Sequence, residues 1–246
     1  MSPKLVLQEG AILIADAHYS QKYPQFYSFL QAVDLGKIKT SQLILMGDMF
    51  ELLFGPIKRT YIDNEKEIVL LNKISQHTEV IYFEGNHDFC IKDVFPDILV
   101  FPLKAQPKIV HFGDKKVMLS HGDTKMPFGY QVYTKFIRNT LVLKLVGLLD
   151  ILCLNCLFKW LKHRGEEKNH CYKIDLFKEI IERRLHYIKH ETLDIVIEGH
   201  FHQDVSFKLY DFEYINLASF ACNQKYFIVQ SINGQLFLQE TRFKES

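Results

Sequence analysis

Short apolar runs that each stop at a polar cluster set the rhythm of the chain. Ala11-Ile12-Leu13-Ile14-Ala15 leads into Asp16-Ala17-His18, and Gln42-Leu43-Ile44-Leu45-Met46 leads into Gly47-Asp48-Met49-Phe50-Glu51. Val80-Ile81-Tyr82-Phe83 leads into Glu84-Gly85-Asn86-His87-Asp88, and Lys116-Val117-Met118-Leu119 into Ser120-His121-Gly122-Asp123. Asp194-Ile195-Val196-Ile197 runs into Glu198-Gly199-His200-Phe201-His202. Each run has strand length and no polar alternation, which predicts strands buried on both faces. Between the first three, Phe26, Phe29, Leu30 and Val33, then Ile68, Leu71 and Ile74, recur at helical spacing. Strand alternating with helix predicts βαβ units and a largely parallel sheet with right-handed crossovers.

The pattern then changes. Lys108-Ile109-Val110-His111-Phe112, the turn pair Gly113-Asp114 and the strand ending at His121 predict a hairpin. Short β-like stretches follow residue 204, and Asn233-Gly234 predicts a second hairpin turn between Phe227-Ile228-Val229 and Gln235-Leu236-Phe237-Leu238. The sum is two packed sheets flanked by helices, in one domain spanning 1–246.

From about 125 to 190 the pattern is helical only, an insertion in that rhythm. Its stretch Leu141 to Leu161 is strongly apolar but is broken by Lys144, Asp150, Asn155 and Lys159. A charge near the middle of a membrane span costs a few kcal/mol or more, which argues against a transmembrane helix. Two readings stay open: a buried core helix, or an amphipathic lid with an apolar surface for a lipid ligand or a membrane face. Lys159, Lys162, His163, Arg164 and Lys168 make its end basic, as suits anionic headgroups or simple solvation.

Composition sharpens this in three places. The 246 residues carry 30 Lys and Arg against 29 Asp and Glu, a net charge of +1, so no basic excess points to nucleic acid. The cysteines, Cys90, Cys153, Cys156, Cys171 and Cys222, are odd in number and lack framework spacing, and no leader pattern opens the chain. That predicts a reducing cytoplasm, with Cys153 and Cys156 as packing on an apolar helix face rather than a redox or zinc pair. No obligate protein partner is evident in the sequence. Finally, of 11 histidines, His18, His87, His121, His200 and His202 fall at strand tips beside Asp and Asn, while the other six share no pattern.

Ligands collect beyond the carboxyl ends of parallel strands, where loops converge on a rigid scaffold. A set of imidazole, carboxylate and amide oxygen donors there suits Mn, Fe or Zn, and the lack of cysteine among them argues against a structural zinc site.

Asp16-Ala17-His18, Gly47-Asp48, Gly85-Asn86-His87-Asp88, His121-Gly122-Asp123 and Gly199-His200-Phe201-His202 resemble, in order, the five blocks of the calcineurin-like metallophosphoesterases. The resemblance implies an α/β fold, a four-layer αββα sandwich holding two divalent metal ions, Mn2+ first, with Fe or Zn as alternatives. Asp16, His18 and His202 would bind one metal, Asn86, His121 and His200 the second, and Asp48 would bridge both. His87 would act as the catalytic group that stabilises developing charge or protonates the leaving oxygen, with Asp88 orienting it.

Asp48-Met49-Phe50-Glu51, His121-Gly122-Asp123-Thr124, Gly129-Tyr130-Gln131 and the helical insertion look more narrowly like the UDP-2,3-diacylglucosamine diphosphatases of lipid A biosynthesis. That resemblance implies hydrolysis to UMP and 2,3-diacylglucosamine 1-phosphate. It implies a nucleotide-linked glycolipid substrate contacted by Asn86, His87, Tyr130 and Lys168, and a lid that takes the acyl chains. It also implies a cytoplasmic enzyme, peripheral on the inner face of the inner membrane. Two features depart from the branch: its well-known members carry Arg where this chain has His87, and the loop from Asp123 to Tyr130 is shorter and less acidic, with Lys125, Pro127 and Phe128. A phosphodiesterase or phosphatase of another small ester is the alternative. A nuclease lacks its basic stripe, and an inactive scaffold predicts lost ligands where none of the seven is lost.

Overall fold

A computed structural model of the chain describes residues 5–232 and 235–244. In chain order it contains β1 (Ile12–Ile14), α1 (Gln25–Asp34), β2 (Gln42–Leu45), β3 (Leu53–Phe54), α2 (Lys58–Ile62), α3 (Glu65–Ser75), β4 (Glu79–Phe83), β5 (Asp88–Phe89) and β6 (Leu99–Phe101). There follow β7 (Lys108–Phe112), β8 (Lys115–Ser120), α4 (Phe128–Ile137), α5 (Thr140–Leu152), α6 (Cys156–Glu166), α7 (Phe177–Arg184) and β9 (Ile195–Glu198). The chain closes with β10 (Val205–Leu209), β11 (Phe212–Asn216), α8 (Phe220–Asn223), β12 (Lys225–Ile232) and β13 (Gln235–Arg242).

The strands form a six-stranded sheet in the order β13-β12-β1-β2-β4-β6 and a five-stranded sheet in the order β10-β11-β9-β8-β7, with a small β3-β5 ribbon. β1, β2, β4 and β6 run parallel, as do β8, β9 and β11. The period of two along each strand creates the layers. On the first sheet Ile12, Ile14, Leu43, Leu45 and Tyr82 face outward onto Phe26, Phe29, Leu30, Leu71 and Ile74 of α1 and α3. Leu13, Ile44, Ile81 and Phe83 face inward onto Val117, Leu119, Ile195 and Ile197 of the second sheet. Met118, Val196 and Tyr214 then face outward onto Phe177 and Ile181 of α7. This is the four-layer αββα sandwich, and burial of each such side chain stabilises it by about 1.5–3 kcal/mol.

β7 and β8 form the expected hairpin, with Phe112 paired to Lys115 across Gly113 and Asp114. β12 and β13 are likewise antiparallel, while the Asn233-Gly234 turn lies outside the described residues.

The helical segment expected over 125–190 divides. α7 is a core helix against the second sheet. α4 to α6 instead stand off the sandwich, with Leu143 and Phe158 buried against Ile57 and Phe89. Leu141 to Leu161 is not one helix: α5 and α6 meet at 103°. The break is built by left-handed Leu154 and Asn155 and by buried Asp150, whose carboxylate accepts from Phe158 N at 3.0 Å and whose carbonyl accepts from Asn155 N at 2.7 Å. Among the described residues no single helix is long and apolar enough to cross a membrane. The outer faces of α4 to α6 nonetheless expose Phe128, Phe136, Leu141, Leu152, Leu154 and Trp160, with Leu154 at 82%.

The cysteine expectation is corrected. Cys153 is disulfide-bonded to Cys156 across the α5–α6 break and Cys171 to Cys222 of α8, leaving Cys90 free. Spacing gave no sign of a framework because the pairs are made by a local chain reversal and by a tertiary contact. Cysteine usage therefore gives no argument for a reducing compartment.

Candidate metal centre

The polar clusters follow the C-terminal ends of β1, β2, β4, β8 and β9, and the parallel runs bring those ends to one edge of the sandwich. The turns out of the strands are sharp. Asp16, His18, Asp48, His200 and His202 all have positive φ, between 43° and 64°. Each such non-glycine residue costs about 1–3 kcal/mol, and strain of this kind concentrates at functional sites. Gly85 permits a close approach, since a Cβ there would overlap the carboxylate and backbone of Asp48.

Three groups of side chains place a ligand atom each within 4.8 Å of one another: His18, His170 and His202; His18, Asp48 and His87; Asp48, His121 and His200. His18 joins the first group to the second and Asp48 the second to the third. Asp16 lies beside the first, its Oδ1 3.1 Å from His202 Nε2. Asn86 presents a buried Oδ1 with no hydrogen-bond partner.

The residues fit divalent cations on their own chemistry. Nε2 of His18, Nε2 of His121 and Oδ1 of Asn86 are buried without hydrogen-bond partners. Leaving such groups unmet costs about 1–3 kcal/mol each, a cost that a bound cation removes. His121 Nδ1 donates to Met46 O at 2.8 Å and His202 Nδ1 to His170 O at 2.8 Å, and each bond leaves Nε2 free for ligation. The donors are nitrogen and oxygen throughout, a set for Mn, Fe or Zn.

His87 lies in the site as expected, but its orienting partner is Glu51. Its Nδ1 lies 2.9 Å from the Glu51 carbonyl and 3.2 Å from Glu51 Oε1, so Nδ1 carries the proton and Nε2 is the free end. Burial opposes its charging, but Asp48 and Glu51 outweigh burial and raise its pKa to about 9. Asp88 does not orient it. The Asp88 carboxylate accepts from the backbone of Asp48, Met49 and Gly85 at 3.0, 2.5 and 2.9 Å and from Tyr82 OH at 2.6 Å. Its neighbour in the chain thus points into the site while Asp88 points behind it and secures the Asp48 turn.

Tyr130 OH lies 3.5 Å from Asp123 Oδ2, and Lys168 lies near enough to His87 for its charge to oppose that ring's protonation. Three further residues belong to the site and were not singled out by the sequence. Glu51 touches His18 Nδ1 at 3.3 Å as well as His87, and His170 stacks on His18. Arg138 reaches Gly85 O at 2.6 Å and Asp123 Oδ2 at 3.5 Å. It lines an adjoining cavity of about 870 Å³ with Lys92, Lys104, Lys125, Lys135 and Lys144.

No protein-family model matches the chain. Among curated proteins, the UDP-2,3-diacylglucosamine hydrolase of Psychromonas ingrahamii is 26% identical over 200 residues, 78% of this chain and 80% of the relative. The enzyme of that name from Coxiella burnetii is 25% identical over 195 residues, with the same coverage. The chain is similar to UDP-2,3-diacylglucosamine hydrolases. A solved dimetal phosphatase from Danio rerio superposes with a TM-score of 0.51 at 13% identity, covering 95% of this chain and 96% of that one, which shows a shared fold.

Proposed function

We propose that the chain hydrolyses the diphosphate bond of UDP-2,3-diacylglucosamine, giving UMP and 2,3-diacylglucosamine 1-phosphate in lipid A biosynthesis. The observation that carries this reading is the linked cluster of Asp16, His18, Asp48, His121, His200 and His202 at one edge of the sandwich, in a chain similar to hydrolases of that name.

Asp16, His18 and His202 would hold one divalent cation, Asn86, His121 and His200 a second, and Asp48 both; Mn2+ is the first choice. Cations there supply Lewis-acid polarisation of phosphoryl oxygens and charge neutralisation in in-line displacement. Every other part of the reaction falls to the protein. Water attacks one phosphorus, the new P–O bond forms as the bridging P–O bond breaks, and the electron pair leaves with the departing phosphate. His87, held at Nδ1 by Glu51, turns Nε2 to that departing charge and stabilises or protonates it. An expelled phosphate needs charge stabilisation more than a proton, so His87 serves where relatives of this branch carry Arg.

Substrate recognition follows from the flanks. Asn86, Tyr130 and Lys168 contact the phosphates and sugar, and the lysine-lined cavity beside Arg138 suits the anionic nucleotide end. The exposed apolar faces of α4 to α6 take the acyl chains and rest on the membrane, with Lys159, Lys162 and Arg164 toward anionic headgroups. The domain is a single one carrying this lid, and it works at the inner face of the inner membrane. Hydrolysis in 18O-labelled water tests the reaction: one labelled oxygen appears in one of the two phosphate products, and absence of UMP refutes it.

A further inference from the structure

The histidine that no sequence pattern marked, His170, comes from the helical insertion rather than from a strand tip. It lies in the segment between α6 and α7, yet it is only 4% exposed. Its ring stacks on His18 with centroids 3.9 Å apart and planes at 25°, and lies 5.7 Å from the His202 ring. Its Nε2 is buried without a hydrogen-bond partner, 3.8 Å from Glu51 Oε2. Its carbonyl accepts the hydrogen bond that orients His202.

We propose that His170 is a further ligand of the cation held by Asp16, His18 and His202, so that cation binding and local ordering of the disulfide-tethered 166–174 segment are linked. The proposal rests on the dimetal reading above. Its ligand atom falls within 4.8 Å of those of His18 and His202, close enough for the three side chains to share one ion. Packing alone gives no reason for an imidazole here: an apolar ring stacks equally well and leaves no buried nitrogen unmet.

The segment is placed as a docked element with several ties. Ile174 N donates to Gln203 Oε1 at 2.8 Å, Lys173 Nζ donates to Gln203 O, and Lys22 Nζ donates to Glu166 O at 2.6 Å. Cys171 is bonded to Cys222. Gly165 lets α6 lie on Glu51, where a Cβ would overlap the carboxylate. A cation that binds the docked arrangement better than the undocked one must stabilise docking, and docking must tighten the cation in equal measure.

The test uses the full chain dialysed against Mn2+, with bound metal counted, Mn2+ affinity measured by titration, and trypsin cleavage at Lys168 and Lys173 followed with and without Mn2+. Wild-type protein is expected to hold two equivalents and to be cleaved at least about tenfold more slowly with Mn2+. H170F keeps the stack on His18 and loses the ligand. It is expected to bind one Mn2+ at least about tenfold more weakly and to lose the protection. Wild-type affinity and protection in folded H170F overturn the proposal and leave the dimetal reading standing. Should H170F not fold, D16A replaces it: Mn2+ protection of Lys168 and Lys173 that persists in D16A overturns the linkage, and its loss supports it. Wild-type protein that binds no Mn2+ overturns the dimetal reading itself.

Discussion

Glu51 holds His87 twice: its backbone carbonyl and its carboxylate both face His87 Nδ1, at 2.9 and 3.2 Å. The same carboxylate reaches His18 Nδ1 at 3.3 Å, so one buried anion fixes the orientation of both imidazoles. Burial resists its ionisation, but His18 and His87 hold its pKa at about 2.

Removing that charge without changing shape tests the arrangement. E51Q is expected to fold as wild type and to lose about 10- to 100-fold in kcat or in metal affinity, the usual effect of losing a partner behind a metal ligand. Steady-state kinetics together with metal analysis check it. Unchanged values in both would mean that His18 and His87 are held by other groups.

Gly165 is where α6 meets Glu51. A Cβ there would overlap Glu51, so G165A must push α6 away or displace the carboxylate. Overpacking of this kind costs about 1–3 kcal/mol. Thermal unfolding is expected to shift downward and proteolysis of α6 to quicken. A variant as stable and as resistant as wild type would show that α6 does not rest on Glu51 in solution.

The apolar outer face of the lid has a separate consequence. L148E with L152E places two charges on an already exposed surface, so the fold is expected to survive. Co-sedimentation with vesicles containing anionic phosphatidylglycerol is expected to fall at least about tenfold, and KM for a diacylated substrate to rise, with turnover of a small aryl phosphate ester unchanged. Vesicle binding equal to wild type would remove the membrane role.

Thiol counting addresses the cysteines. Denatured, unreduced protein is expected to show one free thiol of five, Cys90. Burial raises the Cys90 pKa to about 11, so in the native protein it reacts slowly at pH 8, where little thiolate is present. Five free thiols would refute both pairings.

The sandwich was legible because its signals are local. Runs such as Leu43-Ile44-Leu45 are apolar at every position, and only a strand between a helix layer and a second sheet needs that. The strand-tip residues were legible for a related reason: each motif is contiguous, and the fold merely brings the tips together. What depends on tertiary placement was not. Asp88 is adjacent to His87 in sequence, but the turn between them sends the two side chains to opposite sides. Glu51 was visible inside its motif as a residue with no assigned task. His170 gave no signal, because only the path of α6 across Glu51 carries it to His18. The α5–α6 break was half-visible: Asp150 and Asn155 were noted as polar interruptions, and they are the residues that make it.

The central claim is a dimetal hydrolase selective for a diacylated UDP-sugar. Its most direct test compares Mn2+-loaded protein, the chelator-stripped protein and D48A on UDP-2,3-diacylglucosamine and on an aryl phosphate ester. UMP release is expected from the loaded protein alone, with far higher kcat/KM for the glycolipid. Equal turnover by the stripped protein or D48A, or hydrolysis of the aryl ester with no UMP formed, would contradict it.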